Sequence, residues 1–155
     1  MKISDFEIHN RPKLDRVLAK LCELIIDRQK ENNDRYGLVA ACIIDPDNNM
    51  VESVSRHVGE KWSHAEREAM NIYKDKYGAI PKGSIIVTTL SPCNERMDDR
   101  YSESCTDLIN NSTVRKVYCG YKDPTQNKNN NKFTEECTDN EQIKKLCKRI
   151  SDEFI

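Results

Sequence analysis

No apolar run in these 155 residues comes near the ~20 needed to span a bilayer, so no membrane partner is expected. The first residues, Met1-Lys2-Ile3-Ser4-Asp5-Phe6, lack the long apolar core of a signal peptide. A cytoplasmic protein is the resulting expectation. Neither sign of charge is in excess: 25 basic against 26 acidic residues leave a net charge of −1. Without a strong field, nucleic acid is not the expected partner, and a small or neutral substrate is. The 7 cysteines do not form the even, dense set of a secreted disulfide framework. Reduced thiols, some of them available to a metal, are expected instead. Internal repeats and a domain boundary are also missing, so residues 1–155 read as one domain.

Hydrophobic residues make up 37% of the chain and charged residues 33%. That balance suits a compact domain with a heavily charged surface. The apolar residues fall into short periodic runs. Leu14, Val17, Leu18, Leu21 and Ile25 recur at spacings of three and four, which predicts a helix over 13–33, with Pro12 tolerated at its start. Residues 38–44 form a short apolar run of the buried-strand kind. Asp45-Pro46-Asp47-Asn48-Asn49 is turn chemistry, and residues 50–55 alternate, so the first two strands are expected as an antiparallel hairpin. A second helix is predicted over 64–77, stopped by Gly78 and Pro81. Residues 84–90 read as a third strand, 91–104 as a loop, 105–111 as a short helix and 114–121 as a fourth strand. The asparagine-rich stretch 123–132 reads as a surface loop, and a last helix is predicted over about 140–153. Strands joined through helices imply a three-layer α/β/α fold, its sheet mixed and mostly parallel, with an antiparallel first hairpin.

The chemistry-bearing residues sit at element boundaries. His64 and Glu66 open the second helix, Pro92-Cys93 follow the third strand, and Cys105 opens the short helix. Helix starts and strand ends converge on one rim of such a sheet. One imidazole and two thiolates suit Zn²⁺, which takes nitrogen and sulfur ligands tetrahedrally. His64, Cys93 and Cys105 would leave a fourth position for water. Glu66 is then placed to manage that water's proton.

These motifs resemble the cytidine deaminase-like superfamily of zinc deaminases, whose signature is H-x-E followed by P-C-x-x-C. The resemblance runs from about 38 to 126 and implies the metal ligands His64, Cys93 and Cys105, with Glu66 as proton shuttle. Eleven residues, Asn94 to Ser104, separate the two cysteines where most members have two. A widened gap is found in the deaminase domain of riboflavin biosynthesis proteins of RibD type. His64-Ala65-Glu66-Arg67-Glu68-Ala69, Thr89-Leu90-Ser91-Pro92-Cys93, Cys105-Thr106-Asp107-Leu108-Ile109 and Asp123-Pro124-Thr125-Gln126 are similar to that branch. Arg35-Tyr36-Gly37 stands where the branch usually has an Asn-Pro pair, and the expected domain is without the branch's fused reductase. The implied reaction replaces the exocyclic amine of a planar heterocycle by a carbonyl, with release of ammonia. The implied substrate is an aminated small molecule of pyrimidine type. Family members are often dimers or tetramers, so a homo-oligomer is expected.

Several residues have a plainer explanation beside the functional one. Ser63-His64-Ala65-Glu66 fits a capping box as well as a metal helix. Trp62 suits simple packing as well as stacking on a substrate ring. Arg96 and Arg100 suit a solvated loop as well as a substrate phosphate. Ala65, Asn94 and Asp123 complete the candidate substrate contacts. Cys22, Cys42, Cys119 and Cys147 read as small buried hydrophobes, and Cys137 as an exposed loop thiol. Cys119 and Cys137 are the weaker choices for a third ligand, one being mid-strand and the other far along the chain. The rival functions are deamination of cytidine, deoxycytidylate or another nucleoside or nucleotide, deamination of adenosine in transfer RNA, and a zinc-stabilised binding module without catalysis. Glu66 opposes the last, because a structural zinc site has no use for that carboxylate.

Overall fold

The structure is a computed structural model that describes residues 11–32, 38–54, 56–58, 61–92, 105–122 and 132–152. The chain begins with helix α1 (Arg11–Asn32) and the hairpin β1 (Ala40–Ile44) and β2 (Met50–Val54). A second small hairpin, β3 (Arg56–Val58) and β4 (Lys61–Ser63), leads into α2 (Ala65–Tyr77). Strand β5 (Ile85–Leu90), the short α3 (Cys105–Asn110), β6 (Lys116–Tyr121), β7 (Thr134–Cys137) and α4 (Glu141–Asp152) follow.

Five strands form one sheet in the order β2-β1-β5-β6-β7. β1 pairs antiparallel with both β2 and β5, and the pairs β5–β6 and β6–β7 are parallel. The sheet is therefore mixed, as the hairpin and crossovers predict, with antiparallel pairing reaching one strand past the hairpin.

The central strands β1, β5 and β6 bury both faces, and alternation decides which residue goes where. Cys42, Ile44, Ile85, Val87 and Tyr118 share one core with α1 and α4. Ile43, Ile86 and Val117 share the opposite core with α2 and α3. Leu14, Leu18, Leu21 and Ile25 of α1 are fully buried. Each such burial stabilises by about 1.5–3 kcal/mol, against about 0.5 kcal/mol for an exposed helical ion pair, so packing fixes α1 rather than its many charges. The result is three layers: α1 and α4, the sheet, then α2 and α3. Among the described residues no helix is long and apolar enough to cross a membrane.

Two elements were not anticipated from the sequence. The β3–β4 hairpin lies between residues 55 and 64, a stretch for which no strand is predicted. β7 holds Thr-Glu-Glu-Cys, which carries no apolar alternation, yet it pairs with β6 over Lys116–Cys119. This corrects the expectation that Cys137 is an exposed loop thiol. It is a half-buried strand residue, because its backbone completes the β6 ladder. Cys22, Cys42, Cys119 and Cys147 are fully buried, as expected of small hydrophobes. Most of the expected loops at 91–104 and 123–132 lies outside the described residues.

Candidate metal centre

Sheet topology sets the place of the site. β5 has an antiparallel neighbour on one side and a parallel one on the other. In open α/β sheets ligand sites lie beyond the carboxyl ends of the parallel strands. The chain leaves β5 at Leu90, and Ser91 N–H donates to the Tyr121 carbonyl at 2.9 Å, joining the ends of β5 and β6.

α2 meets this end of the sheet by its first turn. His64 is its N-cap, in extended conformation (φ −77, ψ 140), and its side chain makes no capping bond. The capping-box reading from Ser63 is therefore corrected: the helix starts one residue later, and Glu66 falls short of the position such a box requires. Released from capping, the His64 ring turns toward α3. Its Nδ1 lies 3.4 Å from Cys105 Sγ. Glu66 completes the group, with ligand atoms of all three residues within 4.8 Å of one another. Glu66 is 4% exposed and Cys105 2%. The open end of α2 favours a nearby anion, which suits a buried glutamate there.

The donor set fits zinc. Tetrahedral Zn–N and Zn–S bonds hold nitrogen and sulfur about 3.6 Å apart, close to the spacing of His64 and Cys105. A carboxylate kept from water beside them is costly unless it has partners. Thr88 supplies one. Its Oγ1 lies 3.2 Å from Glu66 Oε1 and 2.8 Å from the Leu90 carbonyl. Thr88 was not singled out from the sequence, where it reads as one more β-branched strand residue. The available signal was alternation, which turns Thr88 with Ile86 toward α2.

The other predicted site residues divide into two sets. Cys93, Asn94, Arg96, Arg100 and Asp123 lie outside the described residues. Pro92, just before Cys93, accepts a hydrogen bond from Thr106 Oγ1 at 3.3 Å, and Thr106 directly follows Cys105. Ala65 is fully buried at the start of α2. Trp62 lies on β4 opposite His57. Cys119 and Cys137, the weaker ligand candidates, pair with each other on β6 and β7.

Over residues 13–121 the chain matches the family described as the cytidine and deoxycytidylate deaminase zinc-binding region. No curated protein matches the sequence significantly. Solved structures share the fold. A diaminohydroxyphosphoribosylaminopyrimidine deaminase/5-amino-6-(5-phosphoribosylamino)uracil reductase from Thermotoga maritima aligns with TM-score 0.59 and 23% identity, over 84% of this chain and 40% of that one. RibD from Acinetobacter baumannii aligns with TM-score 0.65 and 17% identity, over 91% and 38% respectively. A structure from work on A-to-I editing by tRNA:A34 deaminases aligns with TM-score 0.55 and 14% identity, over 87% of this chain and 99% of that one. The chain thus spans about two fifths of the length of the first two proteins.

Proposed function

This chain belongs to the cytidine and deoxycytidylate deaminase zinc-binding family, and on that premise we propose that it is a zinc-dependent hydrolytic deaminase of a pyrimidine-type heterocycle. The observation that carries the proposal is a buried glutamate beside a histidine and a cysteine at metal-ligand spacing. His64, Cys93 and Cys105 would hold the ion, the Pro92–Thr106 bond supporting Cys93 as third ligand. When bound, zinc supplies the Lewis acidity that brings the pKa of a water down toward neutrality.

The rest falls to the chain's own residues. Glu66 accepts a proton from the attacking water, whose oxygen bonds to the ring carbon bearing the amino group. Glu66 delivers that proton to a ring nitrogen, then takes the proton of the new hydroxyl and passes it to the amine. The carbon–nitrogen bond breaks, ammonia leaves and a carbonyl remains. Burial keeps Glu66 from being levelled by bulk solvent, and Thr88 holds it in place. Trp62, Ala65, Asn94, Arg96, Arg100 and Asp123 are the proposed substrate contacts, with the two arginines toward a ribose or ribityl phosphate. A single domain over 1–155, self-association and a cytoplasmic setting belong to the same proposal.

The riboflavin-type reading is favoured by the long Cys93–Cys105 gap and by the RibD likeness. A transfer RNA substrate is the second reading, prompted by the near-complete cover of the tRNA:A34 deaminase chain. The net charge of −1 speaks against it, since RNA binding draws on clustered Lys and Arg.

The test is a mass-spectrometric screen of the zinc-loaded protein against aminated pyrimidines, pterins, purines and transfer RNA. The expected product is heavier by about one mass unit, as amine becomes carbonyl. Glu66→Gln is expected to cut turnover on the active substrate by about 10²–10⁴-fold with zinc content retained. Undiminished ammonia release by that variant overturns the proposal.

A further inference from the structure

On the side of β6 turned from β5, where Cys119 lies opposite Thr88, the sheet brings two thiols together. Cys119 and Cys137 are Cα partners on the parallel strands β6 and β7. Neighbouring strands lie about 4.8 Å apart, inside the Cα–Cα range a disulfide spans. Directly opposed side chains leave the sheet on the same side, and the two Sγ atoms lie 3.0 Å apart. Access differs between them. Cys119 is fully buried, whereas Cys137 is partly open to solvent on the edge strand.

We propose that Cys119 and Cys137 form a peroxide-oxidisable dithiol, with Cys137 the sulfur attacked first and Cys119 the sulfur that closes the disulfide. The chemical setting suits that order. The hydrogen bond with Cys119 brings the Cys137 thiol down to about 7, against burial and Glu135, with Lys122 and Lys144 adding to the effect. A thiolate at neutral pH is the reactive form. It attacks one peroxide oxygen, giving a sulfenic acid on Cys137 and releasing hydroxide. Cys119 sulfur then attacks the sulfenic sulfur and the S–O bond breaks. The Cys119 proton leaves with that oxygen as water, and Glu135 Oε1, 3.7 Å from Cys119 Sγ, is placed to relay it. In sum, two thiols and one peroxide give one disulfide and two waters.

A second pair provides an internal contrast. Cys22 and Cys147 Sγ lie 3.5 Å apart between α1 and α4. Both are fully buried, and the bond to Cys22, with burial, pushes the Cys147 thiol far up. The same bond lowers the Cys22 thiol, so lack of access is what leaves this pair unreactive.

The experiment treats the reduced, zinc-loaded protein with hydrogen peroxide, blocks free thiols with iodoacetamide and digests with trypsin without reductant. Cleavage at Lys116, Lys122, Lys132 and Lys144 puts Cys119 and Cys137 on separate peptides, 117–122 and 133–144. The expected result is a cross-linked pair of these peptides that disappears on reduction. In Cys119→Ser, dimedone is expected to trap a sulfenic acid on Cys137. The proposal is overturned if both peptides stay alkylated as in untreated protein, or if Cys137 cross-links elsewhere instead.

Discussion

Thr88 has one hydroxyl proton and two acceptors. The shorter contact, 2.8 Å, goes to the Leu90 carbonyl, and the 3.2 Å contact goes to Glu66. Sharing that proton between them, this hydroxyl limits where the Glu66 carboxylate can swing. A base held in attack geometry works faster than a wandering one. Thr88→Val, which keeps shape and removes the hydroxyl, is expected to lower kcat about tenfold with KM little changed. Thr88→Ser is expected to recover most of the loss. Steady-state kinetics on the substrate found by the screen decides; a change in KM alone counts against a positioning role. At this scale the sequence was legible where a residue type carries its own chemistry. His64, Glu66 and Cys105 declare themselves by donor type and boundary position. Thr88 does not, because its importance arises only when β5 is laid against α2.

Among the elements, Asp45 adds a polar tie between α2 and the turn after β1. Its carboxylate accepts from Asp47 N–H and Asn49 N–H at 2.9 Å each, from Asn49 Nδ2 at 3.0 Å and from the Tyr73 hydroxyl at 2.6 Å. Burial acts to raise its pKa, yet the bonds from Tyr73, Asn49 and Asp47 outweigh it and hold the carboxyl below the usual range. A lowered folded pKa gives stability that is present at neutral pH and lost as pH falls below about 4. Asp45→Asn is therefore expected to cost roughly 1–3 kcal/mol at pH 7. That difference should shrink toward pH 3, as urea titrations at both values would show. Gly120 plays the corresponding part on the other face. A Cβ there would sit 2.3 Å from Cys147 Sγ and 3.1 Å from the Thr89 carbonyl. Gly120→Ala is expected to destabilise by roughly 1–3 kcal/mol, read from the same titrations. Elements with strong apolar periodicity, α1, β1, β5 and β6, were legible to within a few residues. β7 was not, since Thr134-Glu135-Glu136-Cys137 owes its strand to the neighbouring ladder and not to its own side chains. The β3–β4 hairpin is likewise set by pairing between residues that show no alternation.

For the molecule as a whole, an ion bridging α2 and α3 would tie two elements that otherwise meet through few side chains. A ligand at a hundred times its dissociation constant stabilises by about 2.7 kcal/mol, which for a chain of this size raises Tm by roughly 5–10 °C. Stripping zinc with a chelator is expected to lower Tm by that amount. His64→Ala is expected to melt alike with and without chelator, by scanning calorimetry. The sheet's far border has a consequence of a different kind. β7 closes the strand order, spans four residues and carries two glutamates. Short, charged borders refuse to recruit strands from other molecules. Replacing Glu135 and Glu136 by threonine would strip away that guard, and the variant is expected to elute as larger species on gel filtration. The poor apolar content that hid β7 in the sequence thus serves the molecule as protection against fibrous self-assembly.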